Sequence, residues 1–277
     1  MPSKNIILNS LKESFILLWR NKSLFALLFI LQIVFFVIFL MINFTYQTKI
    51  LESAKTITEY LSQQRFDDVS VASNILQQKS LLGDDPLLIS REFDEILSNF
   101  KIYLAFIFIL MIFFPSINWT LTYNIKHKSN FNKLINDFLK ILIIAIFYLG
   151  LIFTFFYSLT TISLTGVAFE STKLLTKYVP FLIFSVILLY FMYISISLAK
   201  GTELKDIVQK TLKIGIKKIH YILAIYFINI FLFVVSISLF YIFLEKNFFI
   251  LLLSIALAMF SLIFGRIFVV NFVEKLE

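Results

Sequence analysis

Six apolar stretches, each 20 to 25 residues long, limit what this chain can fold into. About 20 apolar residues in a helix cross the hydrocarbon core of a bilayer, and the six stretches together hold one charged residue, Arg266. With 60% apolar residues, 15% charged residues and a mean hydropathy of +0.91, the chain also differs from a soluble domain. We predict an all-α, polytopic membrane protein that forms a single domain over residues 1–277, with spans at residues 24–43, 102–122, 141–165, 179–198, 221–244 and 248–270.

Basic amphipathic segments precede three of these spans. In residues 202–220, apolar side chains recur at helical spacing and lysines occupy the other positions. Residues 131–140 repeat the pattern, and so do residues 2–22, which end near a candidate aromatic anchor at headgroup depth, Trp19. We therefore predict three cytoplasmic interfacial amphipathic helices. In the first, one helical face carries Ile7, Leu8, Leu11, Phe15, Leu18 and Trp19.

The first and last amphipathic segments align with each other. Ser10-Leu11-Lys12 corresponds to Thr211-Leu212-Lys213, which places Trp19 opposite His220, whereas residues 130–153 match only in pattern. Three units of interfacial helix, span and return span would account for nearly the entire chain. Duplication explains the alignment, and so does independent selection of one pattern, since any basic cytoplasmic helix before a span has these features.

Residues 44–101 form the one long polar region. Apolar residues within it recur every three or four positions, which predicts helices. Asp84-Asp85-Pro86 supplies an N-cap and a proline in the first turn of the second helix. We expect the first two spans to continue out of the bilayer as an outer helical hairpin. Its tip would be residues 65–83, with room for one further short helix.

The distribution of charge predicts the orientation. Residues 1–23, 124–140, 200–220 and 266–277 together carry a net charge of +10, and the remaining connecting segments carry −2. Because Lys and Arg concentrate in cytoplasmic loops, both termini should be cytoplasmic and the hairpin should be outside. We predict a multi-pass protein of the cell membrane. The same rule explains the pI near 9.4 without a nucleic-acid partner.

The residue inventory argues against catalysis. The chain has no cysteine, and the interiors of the spans hold no Asp, Glu, Lys or His. Its two histidines, His127 and His220, lie at the cytoplasmic boundary without a partner at metal-ligand spacing. We expect no catalytic residues, no cofactor and no metal. The lack of buried ionisable groups also disfavours ion-coupled transport.

A few polar residues interrupt the spans and are the candidate intramembrane positions. One interpretation is that a kink at Pro115 opens a polar crevice in the second span. The other, which we favour, is that asparagines form hydrogen bonds between helices. Arg266 lies close enough to the end of the last span to snorkel out to the interface. The candidate positions are Gln32, Pro115, Ser116, Asn118 and Asn229.

The lysines of residues 202–220 are the candidate contacts for anionic lipid headgroups, which attract each basic residue near the surface by about 1 kcal/mol. A cytoplasmic protein partner could bind the same surface, and topology signalling alone would also explain the charge. These lysines are Lys205, Lys210, Lys213, Lys217 and Lys218.

The layout resembles two known kinds of membrane domain. Through Trp19-Arg20-Asn21-Lys22 at the start of the first span, it is similar to the domain found beside glycerophosphodiester phosphodiesterases and to uncharacterised prokaryotic multi-pass proteins. No phosphodiesterase motif accompanies the likeness, so it implies no such activity. The layout also looks like a six-span permease subunit of ABC exporters, in which the inner amphipathic segments would dock an ATPase. It departs from that family at Glu245-Lys246-Asn247, which leaves no room for a re-entrant pair.

These features favour a non-catalytic scaffold or subunit that organises membrane lipids or partner proteins. A permease subunit of an ABC-type transporter is the second hypothesis, and a membrane enzyme is the third. The pattern leaves the oligomeric state open, because lipid-facing and helix-facing surfaces are both apolar.

Overall fold

The computed structural model describes residues 5–63, 85, 87–165, 171–199, 203–243 and 248–276. Regular structure in these ranges is entirely helical, as predicted. Helices α2, α3, α4, α5, α7 and α8 are long and apolar enough to cross a membrane, which confirms six candidate spans. The helices are α1 (Asn5–Arg20), α2 (Lys22–Gln63), α3 (Leu88–His127), α4 (Phe131–Thr165), α5 (Ser171–Ser197), α6 (Leu204–Lys217), α7 (Ile219–Phe243) and α8 (Phe248–Leu276).

The helices extend beyond several predicted spans. Two of the three predicted amphipathic segments are separate helices, α1 and α6, but residues 131–140 are the first turns of α4. No proline interrupts the sequence from Phe131 to Thr165, so one helix continues through it. The predicted hairpin tip and the turn at residues 245–247 lie outside the described residues.

Contacts divide the chain into two compact units, of which the smaller is Phe36–Leu110. Within it the end of α2 pairs with the start of α3. The Tyr103 hydroxyl donates to Asn43 Oδ1 at 2.8 Å, and the Tyr60 hydroxyl donates to the Asp85 carbonyl at 2.9 Å. The Asp85 carboxylate accepts a hydrogen bond from the Leu87 N–H at 3.2 Å, just before α3 begins. This contact agrees with the capping signal in the sequence.

The larger unit, Met1–Phe35 with Met111–Glu277, has its core at one end. Buried side chains come from α1, α6 and the C-terminal turns of α3, α5 and α8, together with the first turns of α2, α4 and α7. We call this the packed end. The opposite halves of α5, α7 and α8 leave large apolar side chains exposed, which suits contact with lipid. Examples are Leu182, Ile183, Phe231, Val234 and Leu253.

At the packed end, α1 and α6 each bury one face and expose an apolar stripe. The buried face of α6 carries Ile207, Thr211, Ile214 and Gly215. Its exposed stripe consists of Leu204, Val208, Leu212 and Ile216, with Ile219 following at the start of α7. The predicted apolar face of α1 divides in the same way. Leu18 is buried with two serines, whereas the exposed stripe is Leu8, Leu11, Phe15 and Trp19.

The helix junctions change the alignment between the first and last amphipathic segments, now α1 and α6, by four residues, or about one helical turn. Helices α1 and α2 meet at Asn21, and α6 and α7 meet at Lys218. Counted from these junctions, buried Ser14 corresponds to buried Thr211 rather than Ser10 to Thr211. Helical periodicity makes registers four residues apart look alike, so the sequence alone could not separate them. In the structural register, Gln32 corresponds to Asn229.

Candidate functional site

The most unusual polar group within the spans is the Arg266 guanidinium on α8. Its Nη2 donates to Gln32 Oε1 on α2 at 3.1 Å, and Gln32 is 5% exposed. Gln32 lies ten residues after Lys22, or about 15 Å along the helix. The guanidinium therefore points into the bundle, whereas we expected it to snorkel out to the interface.

Helix geometry explains this direction. Side chains lean toward the N-terminus of their helix, and the C-terminal turns of α8 lie at the packed end. Reaching the packed end would require Arg266 to turn against that lean. In the described part of the chain, Arg266 pairs with no carboxylate, and its Nε is buried without a hydrogen-bond partner. The bundle thus holds a cation whose charge is not balanced locally.

Asn229 on α7 contacts the residue beside Arg266. Its Nδ2 donates to the Gly265 carbonyl at 3.3 Å, so it makes the kind of bond between helices that we favoured. A Cβ at Gly265 would lie 3.1 Å from Asn229 Cγ, which shows how closely the amide packs there. Two amides at corresponding positions, Gln32 and Asn229, therefore contact adjacent residues of α8. Both amides were recognisable from the sequence as polar interruptions of spans, but no local signal connects either one with α8.

The polar residues of the second span lie within an unbroken α3. Pro115 is inside the helix, and the hydroxyl of Ser116 donates to the Ile112 carbonyl at 2.6 Å. Asn118 is 5% exposed, and its Oδ1 has no hydrogen-bond partner among the described residues. No hydrogen bond in the described ranges joins these residues to Arg266. The hydroxyl supplies a local bond beside the proline, which is a role that needs no ligand.

The five lysines of residues 202–220 occupy different environments. Lys205, Lys213 and Lys217 are exposed, and Lys210 is half-buried. The Lys218 ammonium donates to the Leu276 carbonyl at the end of α8, where a cation also favours the helix dipole. Lys218 therefore contributes to packing between helices, and three exposed ammonium groups remain on the surface of α6.

Trp19 lies on the exposed stripe of α1. Its side chain is 70% exposed, and the Lys22 ammonium lies 4.9 Å from the centre of its ring. The indole is directed away from the bundle and lies beside a cation, and its role as an interfacial anchor stays a prediction.

A charged cluster at the packed end was not predicted from the sequence. Glu274 on α8 accepts from Lys126 Nζ at 2.5 Å and lies 2.9 Å from His127 Nε2, at the end of α3. Nearby, Lys275 pairs with Glu13 at 2.7 Å. These partners are far apart in the chain, so local spacing gives no signal for them. Among the described residues, no group of three His, Asp or Glu side chains could hold a metal ion.

No protein-family model, curated protein or solved structure matches this chain. The six long apolar helices indicate a multi-pass membrane protein.

Proposed function

We propose that this protein is a non-catalytic membrane scaffold that organises anionic lipids in one leaflet, with α6 as the main contact. The observation that carries the proposal is the division of α6 into three surfaces. One surface packs on the bundle, one is an exposed apolar stripe, and one carries Lys213 and Lys217, with exposed Lys205 near the start of the helix. This arrangement suits a helix lying at the membrane surface, with its stripe among acyl chains and its ammonium groups among headgroups.

The charge distribution supports the cytoplasmic leaflet as the place of contact. Residues 200–220 and both chain termini belong to the side that carries a net charge of +10. In this account both termini are cytoplasmic, and the protein lies in the cell membrane. Exposed ammonium groups add about 1 kcal/mol each for anionic lipid, so three of them select strongly against zwitterionic lipid. A cytoplasmic protein partner on α6 would compete for the same surface.

Spin-labelled lipids test the proposal directly. The full-length protein is reconstituted into phosphatidylcholine bilayers, and its selectivity for labelled phosphatidylglycerol over labelled phosphatidylcholine is measured. The variant K205E/K213E/K217E should lose at least tenfold of that selectivity, because about 1 kcal/mol per lysine is removed. The matched control K49E/K55E/K101E changes the same charge in the smaller unit and should retain it. Unchanged selectivity in the α6 variant would overturn the proposal.

A permease subunit is the second candidate because of Arg266. Charged groups within spans commonly mark pathways for ions or substrates, and the Nε of Arg266 is buried without a partner. In this hypothesis, α6 and the first turns of α4 dock a soluble ATPase, and Arg266 attracts an anionic substrate. Stable association with such an ATPase separates this hypothesis from the scaffold.

A further inference from the structure

A recess at the packed end collects basic groups from two helix ends. It lies where α1 ends and where α3 ends, and all of its lining residues belong to the larger unit. The Asn21 Nδ2 donates to the Leu17 carbonyl at 3.0 Å and to the Ile125 carbonyl at 3.2 Å, which ties the two walls together. The recess is lined by Leu17, Arg20, Asn21, Ile125, Lys126, His127 and Lys128.

The positive charge of the side chains that line this recess exceeds the negative charge around them. Lys126 and His127 share the Glu274 carboxylate, whereas Arg20 and Lys128 have no carboxylate partner in the described ranges. Helices α1 and α3 both end here, and each C-terminus contributes about half a negative charge. The three cations Arg20, Lys126 and Lys128 face one carboxylate and two helix ends. A net positive charge therefore remains.

The backbone holds Lys128 in place through an uncommon conformation. Lys128 has a φ of 44°, in the left-handed region that non-glycine residues seldom adopt. Its N–H donates to the Asn124 carbonyl at 3.0 Å, and the Ser129 N–H donates to Asn124 Oδ1 at 2.9 Å. This turn places Lys128 in the wall of the recess that Arg20 also lines.

We propose that this recess binds a phosphate ester, with the headgroup of a phospholipid as its source. The planar guanidinium of Arg20 can donate two parallel hydrogen bonds to phosphate oxygens, and Lys128 supplies a second charge. The recess lies where α1 meets α2, which is the first candidate span, so a lipid headgroup bound there would be next to the bilayer surface. The proposal rests on the cytoplasmic placement of the N-terminus in the proposed function, but it does not depend on the lysines of α6.

Native mass spectrometry of the purified full-length protein tests the site. The probes are dioleoyl phosphatidic acid, dioleoyl phosphatidylcholine and inorganic phosphate. Wild-type protein should bind one phosphatidic acid saturably, and R20Q/K128N should bind it at least tenfold more weakly. Asparagine is chosen at position 128 because it tolerates the left-handed conformation. The control K12Q/K133Q removes two exposed cations outside the recess and should bind as wild type does.

The remaining outcomes distinguish a lipid phosphate from free phosphate, and a loss of binding from a loss of folding. If the wild-type protein binds inorganic phosphate but retains neither lipid, the recess is a phosphate site and the proposal that a phospholipid supplies the phosphate is overturned. Wild-type affinity in R20Q/K128N, or no saturable binding of any of the three probes, would overturn the site. If R20Q/K128N melts at a lower temperature, the charge-preserving variant R20K/K128R decides, since it should restore binding. The variant K205E/K213E/K217E should still bind one phosphatidic acid, because the recess contains none of the α6 lysines. This result is expected whether or not α6 binds anionic lipid.

Discussion

Arg266 shows how one side chain can differ from its expected position. Proximity to a helix end suggested snorkelling, but the helix direction and Gln32 determine where the guanidinium lies. The amino-acid pattern identified Gln32, Asn118 and Asn229 as polar interruptions. It could not identify the partners of Gln32 and Asn229, because α8 meets α2 and α7 only through tertiary packing.

The Arg266–Gln32 bond should be measurable by a double-mutant cycle. Gln32→Leu leaves the guanidinium without its described hydrogen-bond acceptor and should destabilise the protein by about 2 kcal/mol. Q32L/R266L removes both polar groups and should recover much of that loss. Thermal unfolding in one detergent is measured for the wild type, Q32L, R266L and Q32L/R266L. Strict additivity of the two single losses would show that the groups do not interact.

Helix α6 depends on close packing where its buried face meets α5. The Tyr190 hydroxyl donates to the Gly215 carbonyl at 2.7 Å, and a Cβ at Gly215 would lie 2.9 Å from a ring carbon of Phe191. Gly215→Ala should therefore lower stability by about 1–3 kcal/mol, because the ring must shift. Ile216→Ala, on the exposed stripe, should change unfolding in detergent far less. Equal effects of the two substitutions would contradict the assignment of buried and exposed faces.

The contacts described between α1 and α8 include one buried hydrogen bond and one partly exposed ion pair. Asn271 Nδ2 donates to Ser14 Oγ at 2.8 Å with both side chains buried, whereas the Lys275–Glu13 pair is partly exposed. Surface ion pairs contribute little to stability, so Asn271→Ala should speed amide hydrogen exchange in α1 more than Lys275→Ala does. Hydrogen exchange with mass spectrometry measures both. A larger effect of Lys275→Ala would show that the ion pair dominates.

At the scale of the whole molecule, the sequence predicted the helices better than it predicted their contacts. Long apolar runs indicate spans because length and hydropathy are local properties. Which faces are buried is a tertiary property, and lipid and neighbouring helices both accept apolar side chains. The Glu274 cluster and the basic recess were missed for the same reason, since each joins the end of α3 to a segment far away in the chain.

The orientation of the chain is open to a simple test because the protein has no cysteine. Single cysteines at Lys213 on α6 and at Ser62 on α2 should react with a membrane-impermeant maleimide from opposite sides of the membrane. In intact cells, Ser62→Cys should be labelled and Lys213→Cys should be labelled only after lysis. The reverse pattern would place the basic segments outside and contradict the predicted orientation.

The most direct test of the scaffold account is purification from the native host in a mild detergent, followed by mass spectrometry of everything that remains bound. A scaffold should retain anionic phospholipid together with copies of this chain, without a soluble ATPase in fixed ratio. A stoichiometric soluble ATPase would contradict the scaffold. It would make α6 and the first turns of α4 coupling elements of a transporter.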